Sequence, residues 1–323
     1  MPPDAFVADI GGTNLRIATA YRRGQPETAS ANPQTLVCRD YDDIVAALRE
    51  GLRRLDHLSP RRGAIAIAGP VTLDSVTMTN GPWTFSIDQL THDLGLDELR
   101  VVNDLEALAH ALPHLDPEDL EQIGGKTSVE SSARVVVAPG TGLGISGLLA
   151  TGDHVAAISG EGGHVDFAPA NQREIEIWRW FADRHDHVSV ERILSGPGLA
   201  DLYRALADVD KSKPAVDPIK VDAQAIVGLV QAEHCLVALA AARDFSAILG
   251  AVAGDLALTL GARGGVYLAG GVLTGLGYAF DRPAFRQRFE NKGRFRDYLR
   301  PIPCYLIRTL HPALTGLAHL LNR

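Results

Sequence analysis

Apolar residues along this chain follow two spacings, one of strands and one of helices, and their alternation predicts the architecture. A short apolar run, Phe6-Val-Ala-Asp-Ile10, reads as a strand that turns through Gly11-Gly-Thr-Asn14 and returns as Leu15 to Ala18. From Tyr41 to Leu58, Ile44, Leu48, Leu52 and Leu55 recur every three or four residues, with acids early and arginines late. That spacing predicts a helix with a favourable dipole bias. Gly63 to Pro70 reads as a buried strand ending at a turn, and Leu99 to Asp104 as another, leading into a helix from Leu105 to Leu112 closed by Pro113. Arg134 to Ala138 is a further strand, followed by the glycine tip Pro139 to Gly144 and an apolar return from Ile145 to Ala150. Beyond it lie a helix from Leu199 to Leu206, a long helical run from about Val221 to Leu260, and a strand from Gly265 that opens onto Gly270-Gly271 and a further helix. Strands alternating with helices indicate an α/β fold. The two β-turn-β units, near residues 11 and 142, suggest two related lobes whose tips face one nucleotide across a cleft. Gly270 and Gly271 would add N–H groups at a helix start.

Composition narrows the partners. The 323 residues suffice for one large domain or two of ordinary size, and 46% hydrophobic with 22% charged content describes a globular protein. A net charge of −8 and only five lysines argue against nucleic acid or an acidic membrane. Cys38, Cys235 and Cys304 are far apart and show no C-x-x-C spacing, so neither a disulfide framework nor a zinc site is indicated and a reducing cytoplasm fits. No secretory signal pattern precedes the first strand. The apolar stretch Cys235 to Leu260 is broken by Arg243, Asp244, Gly250, Gly254 and Asp255, which predicts a buried helix rather than a membrane span. Lys211 to Lys220, with two prolines, is expected to be an exposed loop. No repeat of 20 to 50 residues and no low-complexity tract is present.

The candidate chemistry lies at the strand ends. Asp9-Ile-Gly-Gly-Thr-Asn14 offers an acid of the type that holds Mg²⁺ through oxygen, beside glycines that let backbone N–H groups approach a phosphate. The same residues also suit an ordinary tight hairpin, so this segment alone leaves both readings open. Gly142-Leu-Gly-Ile-Ser-Gly147 matches G-x-G-x-x-G but is not followed by a convincing helix, and the P-loop pattern is absent. Asn103-Asp104 stands where a strand meets a helix, a place for ligand chemistry. Asn103 with Glu106 three residues on also fits a capping box. Gly160-Glu-Gly-Gly-His-Val-Asp166 sets Glu161 and His164 among glycines as ligand contacts, with Asp166 available to orient the histidine. It lacks a convincing third ligand for a metal. Glu191 is either a surface acid paired with Arg192 or Arg184 or another ligand. Together Asn103, Asp104, Glu161, His164 and Glu191 supply many acceptors and few cations, an inventory suited to a neutral polyhydroxylated ligand.

These segments, with Met78-Thr-Asn80, Gly140-Thr-Gly-Leu-Gly144, Glu191-Arg-Ile-Leu-Ser-Gly-Pro-Gly198, Ala269-Gly-Gly271 and Asn291-Lys-Gly-Arg-Phe295, resemble the bacterial glucokinase family, in its order and over nearly the whole chain. The proteobacterial branch is the match, because the cysteine-rich zinc motif of the related repressor and kinase branch is missing after His164. The resemblance implies an α/β actin-like ATPase (ribonuclease H-like) two-lobe fold with a central cleft. A small domain of residues 1–113 plus about 303–323 would pair with a large one of 114–302. It implies ATP-dependent phosphorylation of glucose at the 6-hydroxyl, the entry to glycolysis, in a cytoplasmic homodimer. Asp104 would be the catalytic base, and Asn103, Asp104, Glu161, His164 and Glu191 would bind the sugar. ATP would be held by Ala8, Asp9, Ile10, Gly11, Gly12 and Thr13, by Gly140, Thr141 and Gly142, and by Gly270 and Gly271, with Mg²⁺ on Asp9 through water. One departure is Ala138-Pro139 before Gly140, where the family suggests Gly-Ala; Pro139 lacks one N–H donor. Alternatives are a kinase for another hexose, an N-acetylated sugar or a carboxylate, a non-catalytic sugar sensor of the same fold, and an actin-like or chaperone ATPase. The scarcity of cations weighs against a carboxylate, the start of the first strand near residue one leaves no room for an upstream helix-turn-helix, and an ATPase of that kind would have no purpose for the sugar-type acids.

Overall fold

The computed structural model describes all residues except 1–3, 22–32, 56–59, 72, 79–80, 127, 152–153, 211–220, 233–234 and 323. The chain forms two compact units, Met1–Asp119 with Ala157–Ser159 and Arg308–Arg323, and Leu120–Ala156 with Gly160–Ile307. The expected loop at 211–220, and Thr79 and Asn80, lie outside the described residues.

In the first unit, β1 (Ala5–Ile10) and β2 (Asn14–Ala20) form the expected hairpin, followed by β3 (Gln34–Val37), α1 (Ile44–Arg54), β4 (Arg62–Ile67), β5 (Ser75–Thr77), β6 (Thr84–Ser86), α2 (Ile87–Asp93), β7 (Glu98–Asn103) and α3 (Asp104–Ala111). The sheet order is β3-β2-β1-β4-β7, with β1, β4 and β7 parallel; β5 and β6 pair separately. Residue size sorts by face, because side chains alternate across a strand. Phe6, Ala8, Ile10, Ile17, Ile65 and Ile67 pack with Leu48 of α1 on one side, and Ala5, Val7, Ala18, Ala64 and Ala66 form the other. Each fully buried large side chain contributes about 1.5–3 kcal/mol. The alanine face leaves room for helices to lie close.

The second unit contains β8 (Leu120–Gly124), β9 (Arg134–Pro139), β10 (Leu143–Thr151), β11 (His154–Gly160), α4 (Gln172–Ala182), α5 (Gly196–Val209), α6 (Ala223–Gln231), α7 (Leu236–Leu260), β12 (Val266–Leu268), α8 (Gly271–Leu276), α9 (Arg282–Glu290), α10 (Arg296–Leu299) and β13 (Cys304–Ile307). Its sheet runs β11-β10-β9-β12-β13-β8. Five of these strands repeat the first sheet's plan: an antiparallel hairpin, β9-β10, with the later strands β12 and β13 added parallel to its first strand. The duplication visible in the two glycine tips is therefore a duplication of sheet topology.

The helical run expected from Val221 to Leu260 is two helices, α6 capped by Asp222 and α7 starting after Cys235. By length and composition α7 could cross a membrane, yet it lies in the second unit's core, with Ala238, Phe245, Leu249 and Ala253 buried. Chain boundaries also differ from those expected at 113 and 303. Residues 304–307 pair parallel with β12 and antiparallel with β8, which keeps them in the second unit. The chain then ends as α11 (Pro312–Leu320), which returns to the first unit and packs on α3. A Cβ at Gly316 would overlap the carbonyl oxygen of Ala107. Only glycine permits that approach.

Candidate active site

Three parallel strands bring the first unit's chemistry to one edge. Ile10 stands beside Ile67, and Ile67 beside Asn103, so β1, β4 and β7 end level with one another. In α/β sheets the carboxyl ends of parallel strands are where ligands bind. Asp9 and Asp104 are both at this edge and close enough for their charges to interact.

The β1-β2 tip is tightly built. Gly11 N–H donates to Asn14 O at 3.0 Å, Cys38 N–H donates to Thr13 O at 2.8 Å, and the Cys38 thiol donates to Gly11 O at 3.4 Å. Asp9 pairs across the ladder with Arg16, their charged atoms 3.9 Å apart. Burial raises the pKa of Asp9, and the Arg16 charge opposes that rise. Arg16 was not singled out from sequence. The signal was there, since a tip at residues 11–13 sets positions 9 and 16 opposite each other. Ala8 and Ile10 are completely buried, with side chains in the core, so they support the tip rather than line a ligand site. His311, which caps α11 in a left-handed conformation at φ 58°, has its pKa lowered by burial and by the Arg16 charge.

At the start of α3 the capping reading of Asn103 holds in part. Asn103 Oδ1 accepts from Leu105 N–H at 2.9 Å, and its Nδ2 donates to Gly69 O at 3.1 Å. The reciprocal capping box does not form, because Glu106 accepts from Ser159 Oγ at 2.9 Å instead. An amide with one bond on each end still has a second lone pair and a second N–H. Asp104 Oδ1 also accepts from Leu105 N–H, at 3.0 Å. Burial first, and the Asp9 carboxylate second, raise the Asp104 pKa to about 6, against the lowering effect of that N–H. A carboxylate tuned toward neutrality is suited to accept a proton at physiological pH.

The second unit gathers the remaining acids. Glu161 directly follows β11 and leads into a single tight turn, Gly162–His164. The two ring nitrogens of His164 each lie 4.0 Å from a carboxylate, Nε2 from Glu161 and Nδ1 from Glu191. Glu191 is anchored: its Oε2 accepts from Leu143 N–H at 2.7 Å, and its N–H donates to Gly163 O at 2.9 Å. The alternative pairing with Arg184 is not formed, since Arg184 donates to Trp180 O and stacks over the Trp180 ring. Asp166 Oδ1 accepts from His187 Nε2 at 2.8 Å, so it orients His187 and not His164. Glu161 remains 74% exposed and His164 59%, both open to a ligand.

The glycine tips of this unit interlock. Gly140 N–H donates to Gly142 O at 2.8 Å, and Gly196 N–H donates to Gly140 O at 2.7 Å. Gly142 packs so closely on the Glu191 carboxylate that a Cβ there would overlap it. Gly270, at φ 99°, lies against Pro139 O with no room for a side chain, because β12 runs parallel to β9. Glu161, His164, Glu191, Gly140 to Gly142 and Gly270 therefore belong to one unit, and Asp9, Gly11 to Thr13, Asn103 and Asp104 to the other.

A sheet plan repeated in two units, with a glycine tip on each repeat and acids gathered at the strand ends, is that of a sugar kinase of the actin-like ATPase fold. The crystal structure of a glucokinase from an Antarctic psychrotroph shares that fold, with a TM-score of 0.89 and 34% identity over 99% of both chains. A ROK family glucokinase from Streptomyces griseus, solved with glucose and AMPPNP, matches with a TM-score of 0.66 over 98% of both chains; at 18% identity this shows the fold alone. The glucokinase family model matches residues 6–323. The glucokinase of Aromatoleum aromaticum is 45% identical over 318 residues, 98% of this chain and 94% of that protein. The chain belongs to the glucokinase family, and phosphorylation of glucose is its reaction.

Proposed function

We propose that the chain transfers the γ-phosphoryl group of ATP to the 6-hydroxyl of glucose with Asp104 as general base, supplying glucose 6-phosphate to glycolysis in the cytoplasm as a homodimer. The observation that carries the base assignment is the place of Asp104, a carboxyl at the start of α3 whose pKa burial and the nearby Asp9 charge raise. Phosphoryl transfer asks a protein for alignment and charge stabilisation more than covalent chemistry. Asp104 removes the proton from the attacking hydroxyl, while Asn103, Glu161, His164 and Glu191 fix the sugar through its other hydroxyls. A sugar lacking one of those hydroxyls would leave a desolvated acceptor unpaired, which costs about 1–3 kcal/mol.

For the nucleotide, Gly12 and Thr13 offer the tip amides, since Gly11 N–H is bonded to Asn14 O. In the second unit Gly140 N–H is likewise taken up within its turn, and Pro139 has none. Phosphate contact there falls to Thr141, Gly142, Gly270 and Gly271. With only six residues, α8 adds little macrodipole, so Gly270 and Gly271 act through their N–H groups. Asp9 fits Mg²⁺. No group of three or more His, Cys, Asp or Glu that could cage a metal occurs among the described residues, and Mg²⁺ needs only one or two carboxylates when phosphates and waters complete its shell. When bound, the ion neutralises phosphate charge.

Coupled measurement of ADP release against a panel of sugars tests the assignment. Glucose should be the preferred acceptor, and Asp104→Asn should lower turnover by about 10²–10⁴ with the KM for ATP little changed. Near-normal turnover in that variant removes Asp104 from the base role.

A further inference from the structure

A cavity of about 730 Å³ lies wholly within the second unit, among the start of α4, the middle of α7, α9 and the start of α10. It shares no residue with the sugar or nucleotide sets above. Its charge is unlike that of the protein as a whole: the chain carries a net −8, yet four arginines line this cavity against two acids.

The two acids are already taken. Glu174 binds Arg288 Nη2 at 2.9 and 3.1 Å, and Asp244 accepts from Arg173 Nε at 2.7 Å, with Arg173 also bound to Asp210 outside the cavity. Arg243 is exposed and makes no hydrogen bond or salt bridge among the described residues; it acts on Asp244 only through its charge. Arg296 is exposed and has no side-chain partner among them either. Arg288 Nε is buried with no hydrogen-bond partner. A buried donor left unmade is destabilising unless something accepts from it. Two guanidinium groups without side-chain partners among the described residues stand with Arg288 in the wall of one cavity and suit an oxyanion, because guanidinium forks match phosphate oxygens in pairs. Gln287 and Asn291 add neutral amides to the same wall, suited to hydroxyl groups. Asn291 also begins the Asn291-Lys-Gly-Arg-Phe295 segment, which the catalytic reading leaves without a role.

We propose that this cavity is a second ligand site, for a small phosphomonoester, held by Arg243, Arg288 and Arg296 and separate from the reaction centre. The proposal does not depend on the base assigned to Asp104. Calorimetric titration of the full chain tests it, with the reaction centre first saturated by glucose and a non-hydrolysable ATP analogue, and with inorganic phosphate, glucose 6-phosphate and citrate as probes. Inorganic phosphate and glucose 6-phosphate should both bind the saturated enzyme, and the double variant Arg243→Gln/Arg296→Gln should weaken both by about tenfold or more while kcat stays unchanged. Arg296→Gln alone, at an exposed position without side-chain partners among the described residues, gives a second reading on a fold left intact. Absence of binding to the saturated enzyme overturns the site, as does equal affinity in wild type and variants. Binding of citrate or of inorganic phosphate without the ester overturns the ligand class.

Discussion

Asp104 is an acid held where its charged form is disfavoured, and two measurable properties follow in opposite directions. Only the deprotonated carboxyl can take a proton, so kcat/KM should rise with pH through about 6 and level off above it. An acid limb centred near the ordinary value of 3.8 would show that the burial and the Asp9 charge do not act on it. Stability responds with the reverse sign. The folded pKa lies above the unfolded one, so the contribution is fully present below 3.8 and is lost as pH rises through about 6. A shift of this size corresponds to roughly 3 kcal/mol. Asp104→Asn, which removes the titrating carboxyl, should therefore raise the melting temperature at pH 8 and leave it nearly unchanged at pH 4. At this scale residue type was legible and partnership was not. Asp104, Glu161 and His164 stand out in the sequence, but the bonds from Asp166 to His187 and from Glu106 to Ser159 join residues 21 and 53 positions apart, beyond any local pattern.

The glycine tips show how elements position these acids. Each tip closes on itself with an early amide bond and then rests on a neighbour: Cys38 in the first unit, Glu191 and Gly270 in the second. Glu191 depends on this, because the space for its carboxylate exists only where Gly142 has no Cβ. Gly142→Ala should raise the KM for glucose by about tenfold or more, since displacing Glu191 also strips Leu143 N–H of its acceptor. A KM equal to that of wild type would mean that Glu191 moves without consequence for the sugar. Hairpins and helix starts of this kind were legible in advance, because turn residues and apolar spacing are local. The break between α6 and α7 was less so, since apolar residues continue on both sides of it and Cys235, the N-cap of α7, makes no side-chain capping bond that would mark it.

At the scale of the whole molecule, chain order and unit membership diverge. The last residues complete the first unit: Arg62 donates to Leu321 O at 2.9 Å, Arg100 to Leu320 O at 2.8 Å, and Asn322 Nδ2 to Tyr21 O at 2.9 Å, while α11 covers the alanine face. No periodicity in the sequence assigns α11 to strands about three hundred positions earlier; the family resemblance alone put the chain from about 303 onward with them, and the division falls at 308. Removing residues 308–323 should abolish glucose phosphorylation and leave the first unit unfolded by hydrogen exchange, with protection retained in α5 and α7. Protection of β1 and β4 in that fragment would show that the alanine face needs no cover.

The return of α11 also sets an order of events during synthesis. A ribosome releases Asp9 and Asp104 early, but the helix that covers the sheet beneath them follows only after the whole second unit. Asp104 and the β1-β2 tip must wait, unfinished, until every residue of the second unit has been made.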